Sequence, residues 1–260
     1  MTLSPARRTR QMKLARIAVE RAGREGLAPE RPDNGPEASE YELLLAALGE
    51  DLKRLSEIQS TEKKIEAKRA MVEQYHPHIS ATLAAAQETG KAVQDEILST
   101  LMLWHIDIGE YEAALDMAEH VLRHGLRMPE RFKRAAATVV TEEIAQAALA
   151  HDDAEKLFER DILLRLEEMT ADQDMPDQVT AKLYKALGLL MKKTADVYDA
   201  GSDDFMAGAG VSARRAAHEY LKRALKLDKN IGVKKEIERL EAALRKSEAE
   251  KPALDQEKSE

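Results

Sequence analysis

The chain has 260 residues and a formal net charge of -8, with 43% hydrophobic but only 4% aromatic residues. That length can bury a real core, and an abundance of Ala, Leu, Glu, Lys and Arg with few Gly or Pro predicts an all-α fold. The absence of cysteine excludes disulfides and thiolate metal sites. No apolar run nears the roughly 18 residues of a membrane span, and the acidic total confines nucleic-acid contact to local basic patches.

The start, MTLSPARRTRQMKL, lacks the uninterrupted apolar core of a secretory signal, so the protein is expected to stay in the compartment where it is made. Residues 1–24 are predicted to form one helix, with Ser4 and Pro5 as cap and first turn and Gly23 as the stop. It carries Arg7, Arg8, Arg10, Lys13, Arg16, Arg21 and Arg24 against the single acid Glu20. At about 100° per residue, Arg10, Lys13, Ile17, Arg21 and Arg24 share one stripe and Met12, Ala15, Val19 and Ala22 an opposing apolar one. Like charges this dense repel unless a polyanion relieves them, which points to DNA or RNA. Residues 25–39, EGLAPERPDNGPEAS, with three prolines and two glycines, read as a non-helical linker.

From Glu40 to Tyr75 the chain has no proline, and Tyr41, Leu45, Leu48, Leu52, Leu55, Ile58, Ile65 and Val72 recur with a spacing near three and four that later becomes seven. One long, coiled-coil-like helix over 40–75 is predicted, ending at Pro77, with these residues as a narrow oligomerisation seam. Residues 76–246 read as helical hairpins. A short helix reaches Thr89 and turns at Gly90. Then AVQDEILSTLMLWHID and YEAALDMAEHVLRHG fold back about Gly109, with Leu98, Leu101, Met102 and Ile106 inside and Gly125 closing the second helix. AAHEYLKRALKLDKN and VKKEIERLEAALRK predict another hairpin. Small-residue crossings with tyrosine give both a tetratricopeptide-like character, although no fixed period of about 34 runs through the chain. Residues 199–210, DAGSDDFMAGAG, read as a mobile loop, and residues 247–260 as a disordered tail.

Few residues promise chemistry. GAGVSARR at 208–215 lacks the spacing and lysine of a phosphate loop, and His120 with His124, or His76 with His78, supply too few ligands for zinc and read as surface histidines. Asp172, Asp174 and Asp177 could hold a hard cation through oxygen, or Asp174 or Asp177, near Pro176, could cap the next helix. Pro32 and Asp33 with Glu66 and Lys68 match the letters of a metal-dependent nuclease, but on a linker and a helix instead of adjacent strands. The stronger feature is RHGLRMPERFKRAA, where Arg123, Arg127, Arg131, Lys133 and Arg134 face the single acid Glu130. These cations can bind phosphates or cap helix carboxyl ends.

The blocks QDEILSTLMLWHIDIGEYEAALDMAEHVLRHGLRMP, TEEIAQAAL, MPDQVTAKLYKALGLL and GVKKEIERLEAALR, in that order over roughly residues 40–245, resemble the GpM-type small terminase subunit of peduovirus-like tailed bacteriophages, a family also called the terminase endonuclease subunit. The SPA start and basic helix resemble it more loosely. The resemblance implies a DNA-packaging component in the host bacterial cytoplasm that binds the cohesive-end site of concatemeric double-stranded phage DNA. It would present that site to the large terminase subunit, an ATPase, for cutting and packaging into procapsids. It further implies a homo-oligomeric ring, which suits the seam from Tyr41 to Val72, and Mg and ATP acting through the large subunit, with no cofactor in this chain and no membrane partner. Two rival expectations stand beside it: a metal-dependent endonuclease using Asp172, Asp174 and Asp177, and a helical-repeat scaffold that binds peptides.

Overall fold

A computed structural model of the chain describes residues 5–21, 28–31, 33, 35–151, 158–200 and 204–257. Every regular element among them is helical. The chain divides into two compact units, Met1–Val140 and Thr141–Glu260, and α7 (Ala136–Ala150) starts in the first and continues in the second. No helix among the described residues is long and apolar enough to cross a membrane.

In the first unit α5 (Glu96–Asp107) is the central helix, because every residue from Ile97 to Ile106 is buried. Asp95 caps it, accepting the Leu98 N–H at 3.0 Å. Gly109, at φ 84, turns the chain into α6 (Tyr111–His124). Gly125, at φ 60, ends α6 while the Leu126 N–H bonds back to the Val121 carbonyl at 2.9 Å. The α5/α6 hairpin thus forms where the sequence puts it, with Leu98, Leu101, Met102 and Ile106 in the core.

The helix foreseen over 40–75 is two helices, α2 (Pro36–Glu57) and α3 (Thr61–Val72). Ile58 takes an extended conformation, and the Ser60 hydroxyl accepts the Lys63 N–H, so a local cap starts a new helix where the apolar spacing runs on. Pro77 belongs to the first turn of α4 (His76–Thr89), a position where its missing N–H costs nothing. Leu48, Leu55 and Val72 of the seam are buried within the chain, and Tyr41, Leu45, Leu52, Ile58 and Ile65 are half-buried. The corner is fixed by Asp51, buried on α2, which accepts the Tyr75 hydroxyl at 2.8 Å and the Gln74 side chain at 2.6 Å.

The second unit contains the rest of α7, α8 (Arg160–Thr170), α9 (Asp177–Ala200), α10 (Asp204–Leu227) and α11 (Lys234–Glu257). Helices α9 and α10 pack along their length, α8 lies on α9 and α11 on α10. Met191, Ala217, Leu221, Val233, Ile237 and Leu240 form the core between the last three. The mobile loop expected over 199–210 is largely helix: α9 runs to Ala200 and α10 starts at Asp204, while 201–203 lie outside the described residues. Gly210 is buried, with the Asp199 side chain where a Cβ would project. Its smallness serves close packing instead of freedom. The tail expected to be disordered from 247 lies in α11, which runs to Glu257. Residues 258–260 lie outside the described residues.

Candidate nucleic-acid interface

The basic start of the chain is a helix, α1 (Pro5–Arg21), that packs on α4 and touches α2. Arg10, Lys13 and Arg16 are exposed on it. The side chains of Arg7, Arg8 and Arg21, and Arg24 with its neighbours 22–27, lie outside the described residues. The apolar stripe is rotated from its expected place. Gln11, Leu14, Ala15 and Ile17 are half-buried, whereas Met12 is 41% exposed. A polar contact accompanies this rotation: Gln11 Nε2 donates to Glu40 Oε1 at 3.5 Å, and Arg10 lies 3.4 Å from the same carboxylate.

Segment 28–31 of the linker is stitched across the first unit. The Ala28 N–H donates to the His124 carbonyl, the Gln94 N–H to the Pro29 carbonyl, and Gln94 Nε2 to the Ala28 carbonyl, all between 2.7 and 2.9 Å. Arg31 reaches inward to Asp95 Oδ2 at 2.8 Å with its guanidinium 4.1 Å from the centre of the Tyr41 ring. His78 Nε2 meets the same Asp95 oxygen at 2.7 Å. Burial alone would raise the Asp95 pKa, but His78, Arg31 and the Leu98 N–H outweigh it and hold the carboxyl well below its ordinary value. The Tyr41 hydroxyl accepts the Glu96 N–H at 2.9 Å, and burial first, then Asp95, push that phenol far above its ordinary pKa. Sequence reading missed this ionic hub because Arg31 and Asp95 stand 64 residues apart. A small pocket of 20 Å³ beside it, lined by Gln11, Arg31, Glu37, Glu40, Tyr41 and His78 together with the apolar Leu14, Ala15 and Leu44, has room for one water molecule.

The second basic cluster is far less cationic than its sequence. Arg123 pairs with Glu119 and Arg127 with Glu30. Arg131 lies 3.6 Å from Glu96, donates to the Thr100 hydroxyl at 2.7 Å, and sits 5.0 Å from the Phe132 ring centre. Burial lowers the Arg131 pKa while Glu96 opposes the shift. Lys133 and Arg134 are exposed. Most of these arginines therefore fasten the α6 end and the loop after it.

The acidic candidates do not converge. Asp172 and Asp174 lie exposed in the turn between α8 and α9, and Asp177 is exposed in the first turn of α9. Among the described residues, one group has three ligand atoms within 4.8 Å of one another: His76, His105 and Glu110. There the His105 Nδ1 and Glu110 Oε2 lie 2.7 Å apart and the His76 ring stacks on His105 at 5.5 Å. Burial lowers the His105 pKa while Glu110 opposes the shift. His120 is buried at 6% exposure, a correction to its reading as a surface histidine, because α6 turns that face into the core. GAGVSARR lies within α10, where no phosphate loop can form.

Every regular element among the described residues is helical, with exposed basic residues on α1 of the first unit and GAGVSARR held within a helix. Residues 45–178, just over half of the chain, match the phage small terminase subunit family, and the protein belongs to that family. It is 36% identical over 242 residues, 93% of this chain and 86% of the relative, to the terminase endonuclease subunit of Escherichia phage P2. No solved structure matches it. It is thus a component of a phage DNA-packaging terminase.

Proposed function

We propose that this chain is the DNA-recognition subunit of its terminase: it binds the cohesive-end site of concatemeric phage DNA and presents it to the large ATPase subunit for cutting and packaging into procapsids, in the host bacterial cytoplasm. Family membership supplies the packaging role. The observation that carries the DNA contact is α1, whose Arg10, Lys13 and Arg16 stand exposed on an otherwise acidic protein. ATP and Mg act through the large subunit, and several copies of this chain form a ring around or beside the DNA. Helices α4 and α2 hold α1 in the first unit, and the helical hairpins, tetratricopeptide-like in their small-residue crossings, serve as scaffold within their own units.

The test is a gel shift with labelled duplex spanning the phage genome ends, in Mg²⁺, comparing the native chain with Arg10→Gln/Lys13→Gln/Arg16→Gln. A salt-sensitive shift without cleavage, weakened in the variant with its salt slope reduced by about 0.9 for each phosphate no longer neutralised, is the expected result. An unchanged slope would remove α1 from the interface. A second reading, that this chain itself cuts DNA, is favoured by the name of the phage P2 relative, a terminase endonuclease subunit. It gains if the purified chain cleaves with Mg²⁺ in the absence of the large subunit and loses activity on substitution of Asp172, Asp174 and Asp177.

A further inference from the structure

The turn joining α10 to α11 is the most basic short stretch outside α1. Between positions 222 and 235 stand Lys222, Arg223, Lys226, Lys229, Lys234 and Lys235 against one acid, Asp228, in a chain whose total is -8. All six cations are exposed. Arg223 lies over the Tyr184 ring at 4.4 Å. Asp228 directs Oδ1 to the Asn230 N–H at 2.8 Å. Neighbouring lysines are neutralised, Lys182 by Glu142 and Lys192 by Glu236, each at 2.6 Å. Among the described residues, no carboxylate forms an ion pair with any of the five lysines between 222 and 235, in contrast to Arg123, Arg127 and Arg131.

These charges stand on a rigid base. Leu221, Ala224, Val233 and Ile237 are buried beneath them, and Lys185 Nζ donates to the Ile231 carbonyl at 2.9 Å, pinning the turn. Lys222 and Lys226 are four apart on α10 and therefore share a face. Lys234 and Lys235 lie in the first turn of α11, the positive end of its dipole, where a cation is unfavourable, with Glu236, already paired with Lys192, as the acid of that turn. The fold carries a cost in self-repulsion here that a polyanion would relieve. Lysines without fixed partners suit contacts to phosphates, which position a duplex without reading its bases.

We propose that this face of the second unit, Lys222, Lys226, Lys229, Lys234 and Lys235, binds the phosphate backbone of duplex DNA. It takes its ligand class from the DNA-binding reading above, while its residues are wholly separate from α1. The surface adds affinity without sequence preference, and holds DNA of any sequence while α1 acts on its own.

The test uses the full chain, a fluorescent 30-bp duplex of arbitrary sequence, and anisotropy titrations across a series of KCl concentrations. Lys226→Gln/Lys229→Gln/Lys234→Gln/Lys235→Gln is compared with the native chain and with the α1 triple variant. The expected result is weaker binding and a salt slope reduced by about 0.9 for each phosphate the variant leaves unneutralised, with unchanged helical circular dichroism. Lys229→Gln alone should act in the same direction and guards against a folding defect. An unchanged slope in the lysine variants, while the α1 variant loses binding, overturns this proposal and leaves the α1 reading standing. The reverse pattern supports it and removes α1. Lysine-dependent binding to polyglutamate with no dependence for DNA would also overturn it, and assign the face to an acidic protein segment.

Discussion

His120 shows how a single residue ties stability to pH. Its ring is buried against His124, 4.8 Å between centres, and its Nε2 has no hydrogen-bond partner among the described residues. Burial first, then His124, push its pKa down to about 4. The folded state therefore keeps His120 neutral while the unfolded chain takes up a proton near pH 6.5, so its contribution is fully present above that pH and is lost as pH falls to about 4. The loss amounts to about 3 kcal/mol. His120→Leu removes the titrating group and fills the same apolar space, so urea unfolding at pH 7 and pH 5 should differ less in the variant than in the native chain. An identical pH dependence would show that the buried imidazole is not the source. Asp95 acts with the same sign at lower pH, because its depressed carboxyl stabilises the fold above the ordinary carboxylate range and ceases to do so as pH falls through its folded value.

Between elements, close approach is the controlling quantity in the second unit. A Cβ at Gly188 of α9 would meet Leu221 Cδ2 at 2.5 Å and the Ala217 carbonyl oxygen at 3.2 Å, whereas one at Gly49 of α2 would meet nothing within 4 Å. Gly188→Ala should therefore destabilise the protein by about 1–3 kcal/mol, and Gly49→Ala should stabilise it by roughly 0.5–1 kcal/mol. Thermal unfolding of the two variants checks the pair, and a loss of similar size in both would refute the packing argument. The contrast also explains what could be read in advance. The α5/α6 hairpin was legible because its signals, Asp95, Gly109 and Gly125, lie within the hairpin itself. The loop expected at 199–210 was not, since glycine required for helix contact and glycine used for freedom look alike in composition. The break at Ile58–Ser60 was hidden because the apolar spacing continues through it and the stop is one serine cap. The basic cluster at Arg123–Arg134 was legible as charge but not as an interface, for Glu30 and Glu96, which engage Arg127 and Arg131, come from distant parts of the chain.

For the whole molecule the open quantity is assembly, and the burial pattern decides which substitutions can report on it. The apolar series from Tyr41 to Val72 gives Leu48, Leu55 and Val72 to the core of its own unit. Polar changes there unfold the protein before they separate subunits. Leu55→Gln should cost about 2–4 kcal/mol in unfolding free energy at any protein concentration. Leu43 is different, at 73% exposure on α2 beside the half-buried Leu44 and Leu45. A ring that uses α2 must cover this side chain, so Leu43→Glu should lower the mass measured by light scattering while leaving the thermal midpoint of dilute protein unchanged. If the native chain is already a monomer at the same concentration, α2 joins no subunits and the ring is excluded. If the mass falls with Leu43→Glu and not with Leu55→Gln, α2 has two jobs on two faces: the seam holds it in its unit, and the face with Leu43 joins it to the next copy.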